Sequence, residues 1–356
     1  MKILLTGACG FVGSRVAESL KSAQGDLEII GLDNFSRPGS ETNRVRLNRL
    51  GIKTTHADIR MTSDLGGLPK VDWVIDAAAN PSVLAGIDQK VSPRQLFEHN
   101  LLGTLEVLEY CRSIGAGLIL LSTNRVYSIA ALNALPLQVT RNGFVLDDSK
   151  GLPNGVSPAG IDSLFDTSPP ISLYGTSKLA SELLALEYGA AFGLPVWINR
   201  CGLLAGAGQF GTAENGIISY WIHGHCSGAR LRYTGYEGLG YQTRDVLHPR
   251  DLTALIRKQM STARSQGRRL YTAGGGSDNA ISLAQLTDWC NSRFPANLPE
   301  PDLRPRPFDV PWLVMDNSDV HHEFGWEPET SLSEILSEIA EHAEATPGWL
   351  QVCAGQ

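Results

Sequence analysis

Short apolar runs alternate with stretches of helical spacing from residue 1 to about residue 200, after which the alternation loosens. Lys2 to Thr6, Leu27 to Leu32, Ile52 to His56, Trp73 to Asp76, Leu118 to Leu121 and Val196 to Asn199 each read as a short buried strand. Helical spacing follows the first run through Leu20 and recurs from Phe97 to Cys111, where Phe97, Leu101, Leu105 and Leu108 share a face around Asn100. A further helix begins near Ser172 and runs to about Phe192, and Leu332 to Ala345 is amphipathic, expected to pack a C-terminal lobe onto the main sheet. Strands alternating with helices predict an α/β fold with a doubly wound parallel sheet.

Between Ser128 and Ser172 the pattern lapses into a Pro-, Gly-, Asn- and Asp-rich segment with no period. A loop of that length in a compact domain is usually functional, which reads as a lid or substrate-side insertion. The expected organisation is a dinucleotide-binding domain over 1–200 carrying an insertion at 128–171. The remainder, 201–356, is mainly a smaller α/β substrate-binding lobe with some segments returning to the sheet.

Charge and composition narrow the partners. A net charge of −7 argues against nucleic acid as a partner, because that affinity rests on positive charge meeting phosphate. No apolar run approaches the roughly eighteen residues that would span a membrane. The cysteines (Cys9, Cys111, Cys201, Cys226, Cys290, Cys353) form no CxxC pair, and the N-terminus runs straight into a glycine turn, so a cytoplasmic protein with reduced thiols is expected. His223, His225 and Cys226 sit close together without the spacing of a metal site, and no metal is expected.

The candidate chemistry lies at the ends of the strands. Gly7-Ala8-Cys9-Gly10-Phe11-Val12-Gly13 is a GxxGxxG turn between strand and helix, where glycines let the backbone approach a pyrophosphate at the helix N-terminus. Asp33, about twenty residues further on, suits both hydroxyls of an adenosine ribose and favours NAD over NADP. Asn34 and Arg37 follow it in the same loop. The loops at Asp58-Ile59 and at Ala77-Ala78 leave the carboxyl ends of the next strands, where a doubly wound sheet binds its ligands. Tyr174 and Lys178 stand four apart on one helix face, so an ammonium neighbours a phenol and, with an oxidised nicotinamide, favours its phenolate. That pair makes sense as the base of a hydroxyl oxidation. Thr123, at the end of the 118–121 strand, is placed to hold the same substrate hydroxyl. Arg244 and the pair Arg304 and Arg306 are candidate phosphate ligands, because a guanidinium takes phosphate oxygens in a fork.

The glycine turn, Asp33, Ser122-Thr123 before Val126-Tyr127, and Tyr174/Lys178, in this order, resemble the extended short-chain dehydrogenase/reductase family, from residue 1 to about residue 345. Asp33 to Gly39, Ser122 to Tyr127, Gln209-Phe210 and Arg244 to His248 are similar to stretches of its nucleotide-sugar epimerases. The resemblance implies a Rossmann sheet, NAD as cofactor, and Thr123, Tyr174 and Lys178 as the catalytic set, with Lys178 also on the nicotinamide ribose. It implies Gly7, Gly10, Phe11, Val12 and Gly13 on the pyrophosphate, Asp33 at the adenosine ribose, Asp58 and Ile59 at the adenine, and Asn34 and Arg37 elsewhere on the cofactor. Ala77, Ala78 and Asn100 complete the cofactor set, and Asn124, Gln209, Phe210, Arg244 and Arg306 the nucleotide-sugar set. A homodimer built on the helices around 92–112 and 173–192 is implied as well. The implied reaction is epimerisation through a transient keto sugar, at C2 of a CDP-linked sugar. The alternatives are a UDP-sugar 4-epimerase and a non-catalytic NAD-binding scaffold or sensor.

Departures bear on the chemistry. Arg125, Ser128 and Leu203 differ from the residues common in these relatives, which bears on the sugar and the base. Dehydratases of the family place Asp-Glu after the threonine, and Asn124-Arg125 has no carboxylate for removing water.

Overall fold

The computed structural model describes residues 1–262 and 269–355. Its main sheet has seven strands: β1 (Lys2–Thr6), β2 (Glu28–Asp33), β3 (Lys53–His56), β4 (Trp73–Asp76), β5 (Gly117–Thr123), β6 (Val196–Cys201) and β7 (Leu270–Ala273). The spatial order is β7-β6-β5-β4-β1-β2-β3, and the pairs among β1 to β5 are parallel. The winding reverses between β1 and β4, so the loops that follow these two strands flank the crevice where such sheets bind ligands.

Continuous apolar runs form these strands because both faces are covered. Leu4, Val74, Leu118 and Leu120 pack with Val107, Leu108 and Cys111 of the helix Gly103–Ile114, while Ile3, Leu5, Ile75 and Ile119 on the other face are equally buried. The segment expected as one regular helix from Phe97 to Cys111 is longer and interrupted. It comprises the helix Pro93–Phe97, a π-turn Glu98–Leu102 and the helix Gly103–Ile114. The π-turn carries Asn100, whose backbone carbonyl accepts the Thr104 hydroxyl at 2.9 Å, and such turns concentrate at functional sites.

The chain separates into two compact units. The first holds Met1–Val126, Leu173–Arg200 and Leu252–Tyr271, and the second holds Tyr127–Ser172, Cys201–Asp251 and the chain from Thr272 onward. In the second unit the strand Thr243–Leu247 is central, pairing with Leu203–Leu204, Ala280–Ser282 and Trp312–Leu313. The helix Leu332–Ala345 has the bounds its pattern predicts, but it packs elsewhere than expected. Ile335, Leu336 and Ile339 join Trp221 and Ile222 in the second unit's own core, since an amphipathic stripe fixes which face is buried and not against what.

The segment without a period also belongs to the second unit. It forms a helix, Ile129–Asn133, and two small hairpins, Leu137–Thr140 with Gly143–Leu146 and Val156–Ser157 with Gly160–Ile161. Its backbone is pinned: Phe144 donates to the Tyr241 carbonyl at 2.9 Å, Ile161 donates to Val314 at 2.8 Å and accepts from Asp316 at 2.9 Å. Strands this short cannot display an alternating pattern. Among the described residues no helix is long and apolar enough to cross a membrane.

Candidate active site

β1 ends at Thr6, and Gly7 turns the chain at φ +61° directly against the loop that leaves β4. A Cβ on Gly7 would stand 2.9 Å from the Ala77 carbonyl oxygen and from the Ala78 nitrogen, and one on Gly13 only 2.2 Å from the Gly7 oxygen. The Gly10 amide donates to the Gly7 carbonyl at 3.0 Å, and the first helix, Phe11–Ala23, begins with Gly10 as its N-cap and no capping side chain. The first amides of that helix, Phe11, Val12 and Gly13 among them, have no intrahelical acceptor, and its dipole puts positive potential there.

At the end of β2 the Asp33 carboxylate accepts from the Cys9 and Phe35 amides at 2.8 Å each, tying the glycine turn to the second strand. Burial pushes the Asp33 carboxyl up, while these amides pull it back. Asn34 donates to Asp58 at 3.4 Å, and Arg37 lies in the turn that leads into the helix Ser40–Arg49. The Arg60 guanidinium forks onto Asp58 at 2.6 and 2.9 Å and holds that carboxyl well below the usual range. Ile59 is buried against Gly103, where a Cβ would come within 2.6 Å of its side chain. After β4, the amides of Ala77 and Ala78 both donate to the Thr6 hydroxyl at 3.2 Å, so their loop and the glycine turn share one anchor.

Thr123 closes β5 and is buried, and its Oγ1 accepts the Arg125 amide at 3.1 Å in the turn Asn124–Val126, with Asn124 itself buried. The helix Ser172–Phe192 presents Tyr174 and Lys178 one turn apart, 7% and 2% exposed. An ammonium so deeply buried costs several kcal/mol unless its surroundings compensate, so this position is not an ordinary helix surface. Asn100 locks the helix in place: its Nδ2 donates to Ser177 Oγ at 3.1 Å and to the Asn80 carbonyl at 3.1 Å, and its carbonyl accepts from Ser181 at 3.2 Å. Thus the loop after β4, the π-turn and the Tyr174 helix form one bonded assembly.

Arg244 lies in the second unit on the strand Thr243–Leu247. It donates to the Val310 carbonyl at 2.7 Å and the Thr243 carbonyl at 2.8 Å, and pairs with Asp309 at 3.4 Å. Burial pulls its guanidinium down and Asp309 raises it, while Arg306 is near enough to lower it further. Arg306 itself touches the carbonyls of Ala213 and Glu214 at 3.4 and 3.5 Å. Gln209 and Phe210 make contacts inside the second unit, and Gln209 Oε1 has no hydrogen-bond partner among the described residues. Gln209 donates to the Leu204 carbonyl at 2.6 Å, and Phe210 stacks on Trp349 with ring centres 5.5 Å apart. His223 faces His342 at 3.2 Å with its ring pulled down to about 4 by burial, and among the described residues no group of three or more His, Cys, Asp or Glu could hold a metal.

Comparison with known proteins decides the family. Residues 3–274 match the NAD dependent epimerase/dehydratase family. The chain belongs to this family. Among curated relatives it is 31% identical to the CDP-paratose 2-epimerase of Salmonella typhi over 357 aligned positions, covering 95% of this chain and 98% of the relative. It is 26% identical to the UDP-glucuronate 4-epimerase of Thermodesulfobacterium geofontis, covering 94% of this chain and 93% of that one. Its fold is similar to the UDP-glucuronic acid 4-epimerase from Bacillus cereus, solved with UDP-glucuronic acid and NAD, at a TM-score of 0.75 and 21% identity over 97% of this chain and 99% of the other.

The structure supplies its own test of the NAD that the family uses. A cradle that Cβ atoms at Gly7 and Gly13 would fill, a helix N-terminus with no capping side chain, and an acidic residue closing β2 fit an adenosine diphosphate. Motif reading passed over several charged residues that anchor their neighbours within one unit or the other. Asp76 accepts the Thr6 hydroxyl at 2.6 Å and the Thr104 hydroxyl at 3.1 Å, Asp309 holds Arg244, and Glu182 pairs with Arg200 at 2.8 Å. For Asp76 after Val74-Ile75, and for Arg200 after Val196 to Ile198 and Asn199, the signal is a charged residue at the end of an apolar run, whereas Asp309, among prolines and arginines, carries none.

Proposed function

We propose that this chain is an epimerase of nucleotide-diphosphate sugars that inverts C2 of a CDP-linked sugar through a keto intermediate. The observation that carries the reading is the buried Lys178 one turn from Tyr174 in a family of NAD dependent epimerases and dehydratases. A pure binding protein would gain nothing from an ammonium desolvated beside a phenol.

NAD, when bound, supplies the hydride acceptor and returns the hydride, so the reaction has no net redox change. Tyr174, as phenolate favoured by the Lys178 charge, takes the proton of the sugar hydroxyl and later gives it back. Thr123, whose Oγ1 is already fixed as an acceptor by the Arg125 amide, directs its own proton to the same sugar oxygen. Arg244 and Arg306 take the diphosphate, with Asp309 holding Arg244 in its rotamer. Asn124 and Arg125 contribute no carboxylate, which favours epimerisation over loss of water.

The choice of C2 and cytosine rests on the 31% identical relative, and a UDP-sugar 4-epimerase is the competing reading, favoured by the UDP-sugar relatives. Product analysis with CDP- and UDP-sugars separates them, since the inverted carbon and the accepted base differ. Tyr174→Phe should slow turnover by roughly 10²–10⁴, about 3–5 kcal/mol on the barrier. Turnover unchanged in that variant would remove Tyr174 from the mechanism.

We extend the proposal to a homodimer on the helices around 92–112 and 173–192. In support, Leu102 and Leu183 on these helices are 39% and 59% exposed, and Phe192 at the end of the second is 51% exposed.

A further inference from the structure

Within the first unit a carboxylate that belongs to none of the motifs joins three elements. Glu182, on the Tyr174 helix, is 1% exposed, and both its oxygens are used. Arg200 of β6 donates from Nε at 3.1 and 3.2 Å to the two oxygens and from Nη2 at 2.8 Å, and Ser122 of β5 donates its hydroxyl to Oε1 at 2.5 Å. Arg200 and Ser122 are 4% and 6% exposed, so the cluster is cut off from water.

Stability alone explains this poorly, because a buried ion pair can often be replaced by packed apolar residues at little or no cost. Geometry gives it another use. Ser122 and Thr123 are consecutive on a strand and point to opposite faces, so holding the first fixes the second. Glu182 follows Lys178 by four residues and Tyr174 by eight, on one side of one helix. One carboxylate therefore sets the height of the Tyr174 helix against the end of β5, with β6 as the brace. Errors of about 1 Å in such a placement can cost on the order of 10²-fold in rate.

We infer that Glu182, braced by Arg200 and acting through Ser122, is a positioning residue that registers Thr123 with Tyr174. The inference rests on the epimerase reading for its catalytic meaning, though the registration itself is a property of the fold. The test uses the full-length holoenzyme and Ser122→Ala, which removes one hydroxyl and leaves the Glu182–Arg200 pair to keep the fold. Expected results are a fall in kcat of about 10-fold with KM within about twofold, and a double-mutant cycle in which Thr123→Val costs at least about 5-fold less in the Ser122→Ala background than in the native one. Amide hydrogen exchange gives a readout independent of turnover. The Arg125 amide, which donates to Thr123 Oγ1, should exchange at least about 5-fold faster in Ser122→Ala, while Leu118 to Leu120 stay unchanged. If kcat is unchanged, or the two substitutions multiply without coupling, the inference is overturned. If the native protein turns over no nucleotide sugar yet the Arg125 amide is released, the epimerase reading fails and the registration stands. Unchanged Arg125 exchange overturns the registration whatever the turnover.

Discussion

Asp245 sits on the strand Thr243–Leu247, fully buried beside the candidate phosphate ligand Arg244. Its Oδ2 accepts the Gly276 amide at 3.2 Å, and its Oδ1 has no hydrogen-bond partner among the described residues. Burial pushes its carboxyl up to about 7 from 3.8, against the pull of the backbone amides. The sign of the consequence follows from proton counting: between those two values the folded chain keeps a proton that the unfolded chain has released. Stability is therefore unpenalised below the unfolded value, falls as pH rises from about 4, and levels off above about 7. A shift of about three pH units at ~1.4 kcal/mol each gives a penalty on the order of 4 kcal/mol at pH 8. Asp245→Asn keeps the shape and one acceptor for the Gly276 amide and cannot ionise. The shift is already net of the amide bonds to the ionised form, so at pH 8 the variant should be more stable than the native chain by on the order of 4 kcal/mol. Urea unfolding followed by tryptophan fluorescence at pH 5, 6, 7 and 8, with the variant subtracted from the native chain at each pH, isolates this one group. The difference should grow through that range and flatten at its top. A difference that is the same at every pH would mean that Asp245 is ionised in the folded chain, and would refute the reasoning.

Two further substitutions, one with a control, test the cofactor cradle and the assembly. Gly13→Ala places a Cβ 2.2 Å from the Gly7 oxygen, so the purified variant should lose bound NAD, assayed by release and chromatography, while Gly25→Ala, with nothing within 4 Å, should keep it. Full NAD content in Gly13→Ala would place the pyrophosphate elsewhere. Leu183→Arg puts a charge on a side chain that is 59% exposed, and light scattering should find a dimer for the native chain and a monomer for this variant. A native monomer would dismiss the proposed helix interface.

What could be read in the sequence was local and periodic. The strand, glycine turn and helix from Lys2 to Ala23 largely carry their own explanation, because Gly10 and Gly13 pack on Gly7 within the turn, although Gly7 itself is set by Ala77 and Ala78, seventy residues on. The helices Ser172–Phe192 and Leu332–Ala345 likewise have the bounds their patterns predict. Partners distant in the chain were not legible. Nothing near Glu182 announces Arg200, and nothing in Leu332 to Ala345 says that its apolar face meets Trp221. β7 is four residues of an unremarkable run, seen as a strand only where it lies beside β6. Asn100 was recognisable as a residue in a helix, but the π-turn around it, and hence its bonds to Ser177 and Ser181, depends on packing. Gln209 and Phe210 were expected at the substrate from resemblance alone, and their contacts with Leu204 and Trp349 were not legible in the sequence.

The central claim is that a hydride leaves and returns to the same sugar carbon while Tyr174 moves the hydroxyl proton. Purified protein, with no added cofactor, should be incubated with CDP-, UDP-, GDP- and dTDP-linked sugars in deuterated water and the sugar protons followed by NMR. The account predicts inversion at C2 of a CDP-sugar with the carbon-bound hydrogen retained, and loss of that inversion in Tyr174→Phe. Deuterium at the inverted carbon would contradict direct hydride return, and no change in any sugar while NAD remains bound would contradict the epimerase.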